Sequence, residues 1–232
     1  MKLHEYHAQR QSLAEQAPVY RASCSACLQS QFNCYCPHIV AFDPQIEFVI
    51  LIHPIEVRRR IATGRMSHLC LQHSHLILGQ DYSDNAQVNQ LLNDPAKQAV
   101  MLYPGQNSTN LSALSLAERS APFALDKKLV IFVIDGTWAT ARNMVRQSRN
   151  LQDLPRVCFS LDRPSSFRVR KQPAPGCYST IEAIHEVIEL VAPIYGFAGR
   201  AHDNLLHVFD HMVERQLQFV PRIREEFRRS SK

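Results

Sequence analysis

The stretch Leu129–Asn150, LVIFVIDGTWATARNMVRQSRN, decides how the chain is read. Six apolar residues, Leu129–Ile134, have the length and β-branched content of a buried strand. Asp135, Gly136 and Thr137 interrupt the run beside Trp138, the only tryptophan in the chain. The pattern then turns helical, with Trp138, Ala141 and Val145 expected on one face and Trp138 read as part core and part pocket wall. Arg142, Arg146 and Arg149 follow at spacings of four and three, so they can share a face, either a ligand-contacting track or a plain solvated surface. A strand that ends in a carboxylate and passes directly into a helix is a βα junction of the kind found in parallel sheets.

The neighbouring segments repeat this alternation. Ile46–His53, Leu76–Leu78, Ala99–Tyr103 and Val157–Leu161 read as further strands. Helices are expected over DNAQVNQLLND (84–94), over STIEAIHEVIELVAPIYG (179–196), where Ser179 or Thr180 can cap the start, and over DNLLHVFDHMVERQLQFV (203–220). In the third of these, Leu205, Phe209, Met212 and Leu217 form the apolar face. The expected class is α/β, a mostly parallel sheet flanked by helices. In such sheets ligands bind beyond the carboxyl ends of the strands. Three turns fit that place: HPIEVRRRIATGR from His53, Tyr103–Pro104–Gly105, and Asp135–Trp138.

Composition allows one sizeable domain: 232 residues, 45% apolar and 20% charged. No apolar run approaches the ~20 residues of a membrane span. The N-terminus lacks a signal-peptide core. A cytoplasmic protein is expected. Residues 1–20 read as a polar lead-in, 21–40 as a cysteine-rich knuckle, 41–220 as the main domain and 221–232 as a basic tail.

The knuckle is Cys24-x2-Cys27-x6-Cys34-x-Cys36. Four thiolates at short spacing suit a closed tetrahedral metal site, structural in role, with zinc the expected ion. The competing reading is a pair of disulfides, which a reducing compartment disfavours. His38 is a possible substitute ligand. Cys70, Cys158 and Cys177 read as small core residues.

The net charge of +5 is modest, but it is clustered. Arg142–Lys171 carries eight Lys or Arg against two Asp, and Arg58, Arg59, Arg60 and Arg65 face one acid, Glu56. These two clusters adjoin the expected ligand edge and read as phosphate contacts, whereas the basic tail reads as solvated surface. The seven glycines never form G-x-G, so neither a dinucleotide fingerprint nor a P-loop is present. G-x-S-x-G and H-E-x-x-H are also absent, which argues against a serine hydrolase and a zinc protease. Arg168, Arg170 and Lys171 lead into the helix opening at Tyr178–Thr180, a favourable approach for an anion.

The cysteine knuckle, HPIEVRRRIATGR, YPG, IDGTWATARNM and RKQPAPGCYSTIEA occur in that order. Together they resemble the DTW-domain family, named for the core motif that stands here as Asp135, Thr137 and Trp138. The resemblance covers about residues 21–195. It implies a SPOUT-like fold with a C-terminal trefoil knot and a tRNA-uridine aminocarboxypropyltransferase. Such an enzyme uses S-adenosylmethionine to modify N3 of uridine, at position 47 in bacterial tRNA. By the same resemblance, the cofactor side of the site is drawn from His53, Pro54, Glu56, Arg59, Thr63 and Arg65, from Tyr103 and Pro104, from Gly136, Thr137 and Trp138, and from Tyr178, Ser179 and Thr180. Asp135 is the expected general base for the N3 proton. Arg58, Arg142, Arg146, Arg149, Arg168, Arg170 and Lys171 are the expected RNA contacts. Alternatives are a SPOUT-type RNA methyltransferase and a non-catalytic zinc-knuckle RNA-binding protein. A monomer is the expected state.

Overall fold

EFVILI, Glu47–Ile52, forms β1 with all six residues buried. Side chains of a strand alternate between faces, and here both faces are covered. Phe48 and Ile50 enter one core, while Val49 and Leu51 enter a second core on the other side of the sheet. The run opened at Leu129 behaves in the same way: Leu129, Ile131 and Val133 face the first core, Val130 and Phe132 the second. Continuous apolar strands thus mark the centre of a three-layer α/β/α sandwich.

The computed structural model describes residues 22–57, 59, 61–160, 164–169 and 177–218. Arg58, Arg170 and Lys171, the lead-in 1–20 and the tail 221–232 lie outside the described residues. In chain order the elements are β1 (Glu47–Ile52), α1 (Pro54–Val57), α2 (Thr63–Cys70), β2 (Ser74–Leu78), α3 (Ala86–Leu92), β3 (Lys97–Leu102), β4 (Ser108–Asn110), β5 (Lys128–Asp135), α4 (Trp138–Gln147), α5 (Arg149–Gln152), β6 (Arg156–Cys158), α6 (Thr180–Val191) and α7 (Asp203–Leu217). The six strands form one sheet in the order β2-β1-β5-β3-β6-β4, every pair parallel. Helices α2, α6 and α7 supply the first core, and α3, α4 and α5 the second. Among the described residues no helix is long and apolar enough to cross a membrane.

The structure corrects the sequence reading in several places. Helix α2 begins in the last residues of the segment read as a turn; its TGRMSHLC sequence has poor helix formers, but Met66 and Cys70 are fully buried and packing overrides propensity. Strand β4 is three half-buried polar residues at the sheet edge, without an apolar signal. Strand β6 is confined to Arg156–Cys158, where the reading ran from Val157 to Leu161. Helix α4 stops at Gln147: buried Ser148 takes an extended backbone and its Oγ accepts the Tyr82 N–H at 3.0 Å. Arg149 therefore starts a separate helix, and the three arginines do not share one helical face. Arg142 and Arg146 remain together and exposed on α4.

The knuckle is fastened to the C-terminal helix. Cys27 and Tyr35 join the first core. Asn204 donates to the His38 carbonyl at 3.0 Å and accepts from the Val40 N–H at 2.9 Å. Arg215 donates to the Phe32 carbonyl and lies 4.5 Å from the Phe32 ring centroid.

At the opposite end of β1, Glu47 is 7% exposed. Lys97 Nζ lies 2.8 Å from its Oε2, and His75 Nε2 lies 2.8 Å from its Oε1. Burial pushes the Glu47 carboxyl up, but Lys97 and His75 outweigh it and hold the group below its ordinary 4.5. A depressed carboxyl stabilises the fold above the unfolded-state value, and that stability is lost as pH falls through the folded one. Glu47→Gln is expected to cost about 1–3 kcal/mol at pH 7, because both partners are still partly in water. The gap to wild type, read as Tm against pH, should close as pH falls below 4.5.

Candidate active site

Strands β1, β5 and β3 are adjacent and parallel, so the turns that follow them emerge on one edge of the sheet. Ile52 is in register with Asp135, and the His53 N–H donates to the Asp135 carbonyl at 3.0 Å. The order β2-β1-β5-β3 takes the chain one way after β1 and the other way after β2, which opens a crevice at these carboxyl ends.

Asp135 closes the floor of that crevice and is 4% exposed. Two helices begin against it. Thr180, the first residue of α6, donates its hydroxyl to Asp135 Oδ1 at 2.5 Å. Gly64, in the first turn of α2, lies so close that an added Cβ would sit 2.5 Å from Asp135 Oδ2 and 3.0 Å from Ile50 Cγ2. Helix N-termini favour negative charge, so the setting suits a carboxylate anion. Gly64→Ala is expected to destabilise the protein by about 1–3 kcal/mol in urea unfolding. The pair in conflict is α2 backbone against the Asp135 carboxylate, so any activity that depends on Asp135 should fall as well.

The α6 start is held by a capping box. Glu182, 6% exposed, accepts from Ser179 N at 2.8 Å and Ser179 Oγ at 2.6 Å. It also accepts from Ser165 Oγ at 2.8 Å and Ser166 N at 2.7 Å, tying that segment to the site. The S-x-x-E spacing in Ser179–Glu182 is the signal that identifies Glu182. Gly64 had no such signal: its proximity to Asp135 is purely tertiary.

Thr137 caps α4 by accepting the Thr140 N–H at 3.2 Å. Trp138, the first residue of α4, is 45% exposed and so only partly covered, while Ala141, Met144 and Val145 supply the buried face of the helix. Its indole N–H donates to Cys177 Sγ at 3.3 Å, bridging the starts of α4 and α6. Cys177 and Cys158 are half-buried, whereas Cys70 is in the core as expected. Tyr178 packs against Phe159, with ring centroids 5.9 Å apart.

On the β1 side, Glu56 is 6% exposed and its Oε1 has no hydrogen-bond partner among the described residues. Arg59 Nε lies 3.6 Å from the other oxygen and stays largely in water. His53 Nδ1 accepts the Ile55 N–H at 3.2 Å, and Pro54 opens α1. Thr63 is 6% exposed beside Gly64. Arg65, in the first turn of α2, lies near enough to Tyr35 and His68 for its charge to act on both, and its Nε is buried without a partner among the described residues. Tyr103 and Pro104 follow β3, with Arg156 5.7 Å from the Tyr103 ring centroid. Gly136 packs against the Thr140 hydroxyl. Arg168 is exposed, 3.9 Å from Glu214.

The four knuckle cysteines form a cluster whose sulfurs all lie within 4.8 Å of one another. Cys24 and Cys36 sulfurs are 3.7 Å apart, as are those of Cys27 and Cys34. A disulfide would need ~2.05 Å; a tetrahedron with ~2.3 Å metal–sulfur bonds has edges of about 3.7 Å. The cluster could therefore hold a metal ion. Backbone N–H groups of Cys27 and Ala26 pull the Cys24 thiol down to about 6, whereas burial pushes Cys27 and Cys36 up. His38 is not part of the cluster; its ring stacks on His211 at 3.8 Å.

Fold and crevice together define an α/β protein with a ligand site at a parallel-sheet switch point and a metal-ready cysteine knuckle. The chain belongs to the DTW domain family, which matches residues 21–217. Among its relatives is the tRNA-uridine aminocarboxypropyltransferase 2 of Drosophila melanogaster, 28% identical over 183 residues, 75% of this chain and 68% of that protein. The Mus musculus protein of the same name is 27% identical over 166 residues, 70% of this chain and 54% of its own. That of Macaca fascicularis is 26% identical over the same lengths. The chain thus spans about half the length of the mouse and macaque relatives. No solved structure matches it.

Proposed function

We propose that the protein is a tRNA-uridine aminocarboxypropyltransferase, moving the 3-amino-3-carboxypropyl group of S-adenosylmethionine to N3 of a tRNA uridine. The observation that carries this reading is the placement of the DTW motif: Asp135 and Trp138 meet the α6 start at the crevice, and Thr137, between them in sequence, caps α4. The relatives named for the activity support it. The reading includes uridine 47, a cytoplasmic monomer, and a SPOUT-like class with a C-terminal knot, for which the all-parallel sheet gives a compatible frame.

The donor set suits the cofactor. The buried Glu56 Oε1, without a hydrogen-bond partner among the described residues, suits an ammonium group. The α2 and α6 starts, with the cations of Arg59 and Arg65, suit a carboxylate. Exposed Trp138 and half-exposed Tyr103 offer faces for a flat base. S-adenosylmethionine supplies, when bound, a γ-carbon activated by the adjacent sulfonium, with methylthioadenosine as leaving group. The protein has to orient the uridine and remove its N3 proton. Asp135 is too enclosed to meet a base directly, so Thr180 is the relay: its oxygen takes the N3 proton as its own proton passes to Asp135 Oδ1. Arg142, Arg146, Arg149 and Arg168, all exposed, would contact the tRNA backbone. Zinc is the ion proposed for the cysteine cluster.

Titration of the protein with S-adenosylmethionine by calorimetry tests the reading cheaply. Saturable binding that weakens in Glu56→Gln is expected. Absence of binding, alongside salt-dependent binding of tRNA, would point instead to a non-catalytic RNA-binding protein.

A further inference from the structure

Helices α6 and α7 carry a second cluster of metal-ligating residues, remote in sequence from the cysteines. His185 and Glu189 are four apart on α6 and so share a face. The chain then turns through Gly196 and Gly199, both left-handed at φ 82° and 86°. His202 and Asp203 return at the start of α7. His185 and His202 are each 2% exposed.

We propose that His185, Glu189, His202 and Asp203 form a divalent metal site distinct from the cysteine knuckle. Their ligand atoms all lie within 4.8 Å of one another. His185 Nε2 is 3.1 Å from Asp203 Oδ1, and His202 Nε2 is 2.9 Å from Glu189 Oε1 and 3.8 Å from Asp203 Oδ1. The edge of a tetrahedron with ~2.0–2.1 Å bonds is about 3.3 Å, which these separations bracket. Two imidazoles and two carboxylates suit zinc and neighbouring first-row ions.

Two observations point to a ligand. First, His202 Nε2 is buried and, despite its closeness to Glu189, makes no hydrogen bond among the described residues. A buried imidazole nitrogen that closes on a carboxylate at 2.9 Å with poor hydrogen-bond alignment has the arrangement of ligands set around a common centre. Second, a cation already sits at the two carboxylates. Arg200 Nη1 lies 2.5 Å from Glu189 Oε1, Nη2 lies 2.7 Å from Asp203 Oδ1, and Nε donates to Asp203 Oδ2 at 2.9 Å. The Arg200 side chain is 63% exposed, so it can swing into water when an ion arrives. An open cleft of about 460 Å³, lined by Arg119, Tyr178, His185, Glu189 and Arg200, gives the ion a path. A bound ion would clamp α7 to α6, whose first turn carries Thr180.

The test is a cobalt(II) titration of the metal-stripped, reduced full-length protein, followed by absorption. Two equivalents are expected. One gives the intense thiolate charge-transfer bands of the cysteine cluster, and the other gives only weak visible bands of a nitrogen–oxygen site. Glu189→Gln and His202→Asn should weaken the second equivalent by at least about tenfold and leave the thiolate bands unchanged. Arg200→Ala should tighten it, because the competing guanidinium is gone. A single equivalent in both wild type and Arg200→Ala would overturn the proposal. So would a second equivalent that Glu189→Gln leaves intact; this variant keeps the test usable where loss of buried His202 prevents folding.

Discussion

Asp135→Asn is expected to lower turnover by about 10²–10⁴-fold, the usual range for a lost acid–base group, while tRNA affinity stays near wild type. The asparagine keeps the shape of the side chain at the junction of β5, α2 and α6. It cannot take a proton, and its amide offers a donor where the carboxylate offered only acceptors. Thr180→Val should fall by a similar factor if the proton leaves through the hydroxyl that now donates to Asp135 Oδ1. The double variant should then lose little more than either single one, as expected for two residues acting as a unit. Unchanged turnover in Asp135→Asn would remove Asp135 from the chemistry. A large loss in Asp135→Asn with none in Thr180→Val would make Asp135 act directly and dispense with the relay. Circular dichroism and tRNA binding of each variant separate these outcomes from misfolding.

Loss of the metal proposed for the knuckle should have the second large effect. Structural zinc contributes about 10–16 kcal/mol of apparent binding energy in isolated finger peptides. In this protein Cys27 and Tyr35 are also part of the first core, and Asn204 and Arg215 of α7 bond to the knuckle segment, so unfolding of the knuckle would expose that seam. Cys27→Ser, or a strong chelator, is expected to cost several kcal/mol, a fall in Tm of roughly 10 °C for a domain of this size. Metal content by mass spectrometry should drop in parallel. A Tm that responds to reductant and not to chelator would mean disulfides in place of metal.

The parts of this protein that were legible in its sequence are those where one local pattern is decisive. β1 and β5 are uninterrupted apolar runs because both of their faces are covered, and nothing else explains such runs in a chain without membrane-length segments. The cysteine spacing and the Asp135-x-Thr137-Trp138 motif are similarly local. Helix α2 was missed because its signal is weak and its stability comes from Met66 and Cys70 in the core. Ser148 breaks α4 through a bond to Tyr82, sixty-six positions away, which no local pattern reveals. The share of Trp138 that stays in water is less legible: helical periodicity gives the direction of a side chain but not how far the neighbouring elements cover it. At the site, Gly64 against Asp135 and Thr180 donating to Asp135 are tertiary meetings of three separated segments.

The central claim is the reaction, and it can be read directly. The purified protein is incubated with S-adenosylmethionine and unmodified tRNA, and the digested tRNA is examined by mass spectrometry. The account predicts a uridine carrying the aminocarboxypropyl group, with methylthioadenosine released in equal amount, and loss of both in Asp135→Asn. Methyluridine with S-adenosylhomocysteine in their place would contradict it.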